Sequence, residues 1–293
     1  MPESISPPGF ESGSAELPSI LKTILADKAA RLLSSKRRVP QSELQRICRD
    51  LPAPLDFRAA LDPVGPAAAR TADSRPSGRR SSVRIIAEFK RRSPSRGVIR
   101  PQFDLDRIHR EYERGGADAY SVLTEEDHFG GSLEDLKILR KMAETPLLRK
   151  DFLFDPFQIY ESRAAGADAL LLIVSALEDR RLSELIALSR ELAMEALVEV
   201  HSVAELRRAL ECGAVIVGIN NRNLHNFEVD IGISLELARS LPGHVTGVSE
   251  SGIKGPEDIR RLQNAGIHSF LVGEHLMRSE DPGHELRRLK GVV

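Results

Sequence analysis

The run Ala165-Gly166-Ala167-Asp168-Ala169-Leu170-Leu171-Leu172-Ile173-Val174 decides the reading of the fold. Gly166 suits the left-handed residue just past a helix C-terminus. Small neighbours let the chain turn tightly, and the apolar run that follows reads as a buried strand. The same helix-ending device stands at Gly115-Gly116-Ala117-Asp118, Cys212-Gly213-Ala214 and Ala265-Gly266-Ile267. Outward from these points, short β-branched or Leu-rich runs alternate with helical stretches. The predicted strands are 84–89, 118–123, 146–150, 169–174, 196–200, 215–219, 245–249 and 269–272.

Between them lie helical faces: Leu105, Ile108 and Tyr112; Leu182, Leu185, Ile186 and Leu192; Val203, Leu206 and Leu210. Ser202 and Glu205 have the spacing of a capping box for the third face. Pro256 sits where a first helical turn accepts proline, ahead of Ile259 and Leu262. Eight strand–helix units in one domain-sized stretch predict an α/β fold, a closed parallel (β/α)8 TIM barrel. An open doubly wound sheet is the structural alternative. It usually has fewer strands, and no Gly-rich dinucleotide turn follows the first strand here.

Ahead of the barrel (83–293) the chain divides into three parts. Residues 1–18 are rich in Ser, Pro and Glu and read as a disordered tail; with no basic start and no apolar run they do not resemble a secretory signal. Residues 19–62 read as a helical cap. Ile20, Ile24, Leu25, Ala29, Leu32 and Leu33 mark one helix, and 42–48 a second with Leu44 and Ile47 on one face, ended by Pro52 and Pro54. Residues 63–82 lack periodicity and read as a flexible linker. Its Arg70, Arg75, Arg79 and Arg80 have no interleaved aromatics, so a solvated segment is favoured over a nucleic-acid contact.

The 293 residues carry 42 Lys+Arg against 43 Asp+Glu. No global field attracts nucleic acid or membrane, so an anionic ligand must be held by locally placed cations. The longest apolar run, 169–174, is far too short to span a bilayer. Cys48 and Cys212 make no disulfide framework; both read as small buried apolar residues in a reducing, cytoplasmic compartment.

In a barrel, chemistry sits at the C-terminal ends of the strands. The first strand ends Ala87-Glu88-Phe89-Lys90. Alternation puts Glu88 and Lys90 on one face and Phe89 on the other, towards the helices. A structural ion pair at the rim accounts for the two charges as well as a functional pair does. The third strand ends Arg149-Lys150-Asp151-Phe152, and alternation leaves open whether Arg149 or Lys150 faces the mouth. The fifth holds Glu199 between Val198 and Val200, a costly placement unless paired, and one that yields a usable acid or base. His201 reads as a helix-start residue, and no metal-ligand spacing is present. The sixth ends with Asn220 and Arg222 on one face, the latter suited to a carboxylate. The seventh and eighth end in Ser249-Glu250-Ser251-Gly252 and Val272-Gly273-Glu274, the usual place of a barrel phosphate site. The residues alone thus point to an enzyme for a phosphorylated, carboxylated small molecule.

Five strings closely resemble the indole-3-glycerol-phosphate synthase family. They are Ile85-Ile86-Ala87-Glu88-Phe89-Lys90-Arg91-Arg92-Ser93-Pro94-Ser95, Ser121-Val122-Leu123-Thr124-Glu125, Leu148-Arg149-Lys150-Asp151-Phe152, Gly218-Ile219-Asn220-Asn221-Arg222-Asn223-Leu224 and Val248-Ser249-Glu250-Ser251-Gly252-Ile253. Asp56-Phe57-Arg58-Ala59-Ala60-Leu61 is similar to that family's cap. The resemblance implies decarboxylating ring closure and dehydration of 1-(2-carboxyphenylamino)-1-deoxyribulose 5-phosphate, in tryptophan biosynthesis. It implies no cofactor, no metal, and a monomer or homodimer without a fused isomerase barrel. By the same resemblance Lys150 is the general acid, and Glu199, Glu88 and Lys90 serve proton transfer. Asn220, Glu250 and Ser251 position the substrate. Lys90, Arg222 and Phe152 bind it, with Lys90 and Arg222 on its carboxylate. Ser93, Gly252, Gly273 and the backbone of Glu274 cradle the phosphate, and residues 90–97 form a mobile lid.

Three other readings compete. Phosphoribosylanthranilate isomerase shares fold and phosphate loops but needs a Cys/Asp pair, and neither Cys48 nor Cys212 lies at a strand C-terminus. A catalytically silent barrel should have lost some of the mouth charges. Glycosidase chemistry needs two carboxylates, which Glu88 and Glu199 supply in number, but not the surplus of cations.

Overall fold

The computed structural model describes residues 17–63 and 82–293. The expected tail and linker therefore lie, apart from their edge residues, outside the described residues.

Eight parallel strands close into a barrel, which rules out the open doubly wound sheet. They are β1 (Arg84–Phe89), β4 (Ala119–Leu123), β5 (Leu147–Lys150), β6 (Ala169–Ile173), β7 (Glu195–Val200), β8 (Ile216–Asn220), β9 (Thr246–Glu250) and β10 (Ser269–Val272). Each predicted strand is present, its bounds within one residue of the expected ones. Closure comes from β1, which pairs with β10 on one side and β4 on the other. A small hairpin, β2 (Arg92–Ser93) and β3 (Gly97–Val98), occupies the loop after β1.

Helices α4 (Leu105–Gly115), α5 (Leu133–Met142), α6 (Pro156–Ala164), α7 (Asp179–Glu191), α8 (Val203–Glu211), α9 (Gly232–Leu237), α10 (Pro256–Asn264), α11 (Glu274–Arg278) and α12 (Pro282–Leu289) form the outer layer. Gly116 and Gly166 turn left-handed past α4 and α6, with φ of 72° and 92°, as the repeated glycine predicts. The aspartate that follows in each repeat has its own task. Asp118 accepts the backbone N–H of Ile85 on β1, and Asp168 that of Leu147 on β5. Both pin the start of one strand to its neighbour.

Register fixes what reaches the mouth. Glu199 pairs with Ile173, Lys150 with Leu123, and Glu250 with Asn220. Phe89 turns outward, edge-on to Tyr112 and Tyr120 at 4.9 and 5.5 Å, so Glu88 points inward, as alternation requires.

The cap consists of α1 (Ser19–Arg38), α2 (Gln41–Asp50) and α3 (Phe57–Leu61), the last capped by the Asp56 side chain on the Ala59 N–H. Helix α1 buries Leu21, Ile24, Leu25, Lys28 and Leu32, whereas Leu33 is exposed. Lys28 belongs on that face because Asp151 meets its ammonium at 2.6 Å; a cation can replace an apolar residue only where such a partner waits. On α8 the buried residues are Leu206 and Ala209, and Val203 lies exposed. The capping box expected there does not close. The Ser202 hydroxyl accepts the Glu205 N–H, but the Glu205 carboxylate takes the N–H of His201. Cys48 is buried against Tyr160, while Cys212 is only half-buried, contrary to expectation. Among the described residues no helix is long and apolar enough to cross a membrane.

Candidate active site

A cleft of about 520 Å³ opens at the C-terminal end of the barrel, and every residue expected to bind substrate or take part in its chemistry lines it. Strand β5 settles the choice that alternation left open. Lys150 faces the cleft. Arg149 points away, into a buried set of Asp151 at 3.0 Å, Glu161 at 2.9 Å and the Ser162 hydroxyl at 3.2 Å.

Lys150 Nζ lies 3.4 Å from Glu199 Oε2 and 3.4 Å from Glu250 Oε2. Glu88, on the opposite side of the barrel floor, takes the ammonium of Lys90 at 2.9 Å. Two glycines make room for these carboxylates. A Cβ on Gly218 would stand 2.1 Å from Glu250 Oε1, and one on Gly273 would stand 2.3 Å from Glu88 Oε1. Burial opposes the charge on Lys150, but Glu250, Glu199 and Glu88 together outweigh it and raise its pKa. Burial also disfavours ionised Glu199, yet Lys150 and then His201 overcome this and hold its pKa below the ordinary value. Glu250 is the carboxyl that gives way. Burial, reinforced by Glu199 and Glu88 against the pull of Lys150, pushes it up to about 8. The floor thus holds an ammonium, an ionised carboxylate and a carboxyl that keeps its proton near neutrality.

Asn220 and Ser251 stand above the floor. The Ser251 hydroxyl donates to Asn220 Oδ1 at 3.0 Å, and the Arg222 N–H reaches the same oxygen at 3.0 Å. Ser251 and Gly252 are both left-handed, with φ of 64° and 84°. A serine there is strained, and consecutive turns of this kind expose backbone N–H groups to an anion. Arg222 donates to the Phe227 carbonyl at 3.2 Å. Its guanidinium lies 3.7 Å from the Glu274 carboxylate, which also meets Arg278 at 3.1 Å and Arg96 at 3.5 Å. The Glu274 side chain is therefore occupied with cations, leaving its backbone, beside Gly273, for an anion.

Some lining groups were not legible in the sequence. Phe129 packs 6.0 Å from Phe152, with the Lys90 ammonium 5.9 Å from its ring centroid. Its loop is fixed by Glu125, whose carboxylate accepts the N–H groups of Asp127, His128 and Phe129. Ile20, Leu21 and Ile24 of α1 cover part of the cleft. Behind the cleft wall His201, read as a helix-start residue, lies with Nε2 3.5 Å from Glu199 Oε1. Cys48 and Cys212 lie outside the cleft, which removes the Cys/Asp isomerase reading.

The family model for indole-3-glycerol phosphate synthase matches residues 21–289. An indole-3-glycerol phosphate synthase of Dehalococcoides mccartyi strain BAV1 is 46% identical over 274 residues, covering 92% of this chain and 99% of that protein. Its counterpart from strain CBDB1 is 45% identical over the same share of each. Among solved structures, 3-hexulose-6-phosphate synthase from Salmonella typhimurium superposes with a TM-score of 0.58 at 16% identity, covering 72% of this chain and 98% of that one. Thiamine phosphate pyrophosphorylase from Pyrococcus furiosus gives 0.56 at 17%, covering 72% and 96%. These structures share the fold alone; the sequence relatives and the family model share far more. The chain belongs to the indole-3-glycerol phosphate synthase family and is a decarboxylating carbon–carbon lyase of tryptophan biosynthesis.

Proposed function

We propose that the floor of the cleft carries out the ring closure with Lys150 as the acid. The observation behind this is the Lys150 ammonium, 3.4 Å from each of two carboxyl groups and held protonated by them. When the aromatic carbon of 1-(2-carboxyphenylamino)-1-deoxyribulose 5-phosphate attacks the ketone carbon, charge develops on the ketone oxygen. A fixed ammonium stabilises that charge and donates the proton. Lys90 and Arg222, at the rim, suit the substrate carboxylate, which leaves as carbon dioxide when the ring regains aromaticity. Phe152 packs beside the aniline ring.

Dehydration needs a proton delivered to the departing hydroxyl and another taken from the adjacent carbon. Glu199, ionised beside Lys150, suits acceptance, and Glu88, paired with Lys90, suits the exchange on the opposite side. Glu250 carries a proton near neutrality and acts with Asn220 and Ser251 to orient the substrate. The phosphate fits the N–H groups of Gly252, Gly273 and Glu274 with the Ser93 hydroxyl, and the hairpin that bears Ser93 acts as the lid. The balanced charge and absence of interleaved aromatics favour a small-molecule partner over nucleic acid; the two free cysteines favour a cytoplasmic enzyme, and the family favours a monomer or homodimer.

The test is a continuous absorbance assay for the indole chromophore with that substrate. Wild type should turn over, and Lys150→Ala should lose about 10²–10⁴-fold in kcat. A well-folded wild type with no turnover would overturn the reading; turnover that survives the substitution would remove Lys150 as the acid.

A further inference from the structure

His201 is one residue beyond the end of β7, on the same face as Glu199. Its ring lies between two carboxylates. Nδ1 is 3.3 Å from Glu205 Oε2, and Nε2 is 3.5 Å from Glu199 Oε1. The Glu205 carboxylate also accepts the His201 backbone N–H at 2.7 Å, which fixes the side of the ring that faces α8. The other nitrogen, Nε2, is buried and has no hydrogen-bond partner among the described residues, with Glu199 Oε1 its facing carboxylate oxygen. A neutral imidazole has one N–H and one lone pair. In this setting the lone pair would face a carboxylate whichever tautomer formed. Only when both nitrogens carry protons does neither turn a lone pair towards a carboxylate oxygen.

We infer that His201 is a positioning residue that stands as an imidazolium behind Glu199 and holds that carboxylate ionised and oriented for the reaction. The two oxygens of Glu199 are then divided. Oε2 faces Lys150 and the cleft, and Oε1 faces His201. Glu199 on β7, Glu205 on α8 and Glu250 on β9 all favour the ring's charge, against the cost of its burial, and its pKa is raised. Lys150 on β5 is the opposing cation, on the far side of Glu199. With His201 charged, the proton that the floor must keep falls on Glu250 rather than on Glu199. His201 does not line the cleft and acts through Glu199 alone.

This inference rests on the reading of Glu199 as a participant in the reaction, and its test separates the two. In protein labelled with 15N-histidine, the His201 ring nitrogens should both carry protons at pH 7 and titrate above the ordinary histidine range. This readout needs no substrate. In turnover, His201→Gln should lower kcat about tenfold with KM within about twofold, and should move the acid limb of the kcat profile to higher pH as Glu199 becomes easier to protonate. His201→Lys should return that limb towards its wild-type place. A His201 ring that is neutral at pH 7, or a His201→Gln profile superposable on wild type, would overturn the inference. Wild type that shows the doubly protonated ring but no turnover would instead overturn the role of Glu199.

Discussion

The two ends of the barrel both bury charge, and they do so differently. At the end where the strands begin, every carboxylate oxygen of Asp118 and Asp168 has a donor. Asp118 takes Arg84 at 3.2 Å, Lys290 at 2.8 Å and the Ile85 N–H at 2.8 Å. Asp168 takes Arg140 at 2.7 Å and the N–H groups of Leu147 and Leu55. At the mouth, Glu199 and Glu250 share the one ammonium of Lys150, and Glu250 Oε1 has no hydrogen-bond partner among the described residues. A fully satisfied network costs little and fixes strand starts; a crowded one leaves groups to be satisfied by something else. The starting end is built for the fold, and the mouth is built for a ligand that completes it.

Substitutions at the two ends should therefore have opposite signatures. The largest effect on stability should come from Asp118→Asn, which leaves Arg84 and Lys290 facing a neutral amide in a buried place. A loss of about 3–5 kcal/mol in unfolding free energy is expected, with kcat of the folded enzyme within about twofold. Chemical denaturation alongside the indole assay checks both. Unchanged stability would remove the contrast. Glu250→Gln should do the reverse: kcat falls about tenfold, while stability at pH 8 is equal to wild type or higher, because one member of a crowded set is neutralised. Arg31→Ala should change least. Its partners Glu126 and Asp127 lie on the surface, with the Arg31 side chain 46% exposed, and exposed pairs contribute about 0–1 kcal/mol. A larger loss would show that the contact between α1 and the β4 loop carries the cap's stability.

How much of this was visible beforehand differs between the same two regions. The strands were legible because period and punctuation are local. Ala169–Ile173 and the glycine before it are contiguous, so residue spacing is enough. The mouth was legible wherever alternation alone decided a direction, as for Glu88 against Phe89. It failed at Arg149-Lys150, where both neighbours are cations and direction depends on what α6 offers to Arg149. The burial of Lys28 and the contacts of the His201 ring were not legible for a related reason. Asp151, the partner of Lys28, stands 123 residues away in sequence, and the His201 ring is fixed by Glu205, turned back from the start of α8; no local pattern marks either contact. The loops proposed to hold the phosphate were picked out by place rather than composition, since Ser251-Gly252 is weak as a motif and acquires meaning only from its strand.

The most direct test of the crowded mouth is the pH dependence of unfolding free energy for wild type minus Glu250→Gln. A carboxyl whose pKa is raised in the folded state keeps its proton while the unfolded chain has lost it, so it contributes stability at low pH that is lost as pH rises through the folded value. For Glu250 the window runs from its ordinary 4.5 to about 8. Wild type should lose stability relative to the variant across this window, by at most about 1.4 kcal/mol per pH unit, and the difference should level off above it. Parallel curves from pH 4.5 to 8 would contradict this: Glu250 would then be ionised beside Lys150 like any ordinary ion pair, and the mouth would be as fully satisfied as the other end.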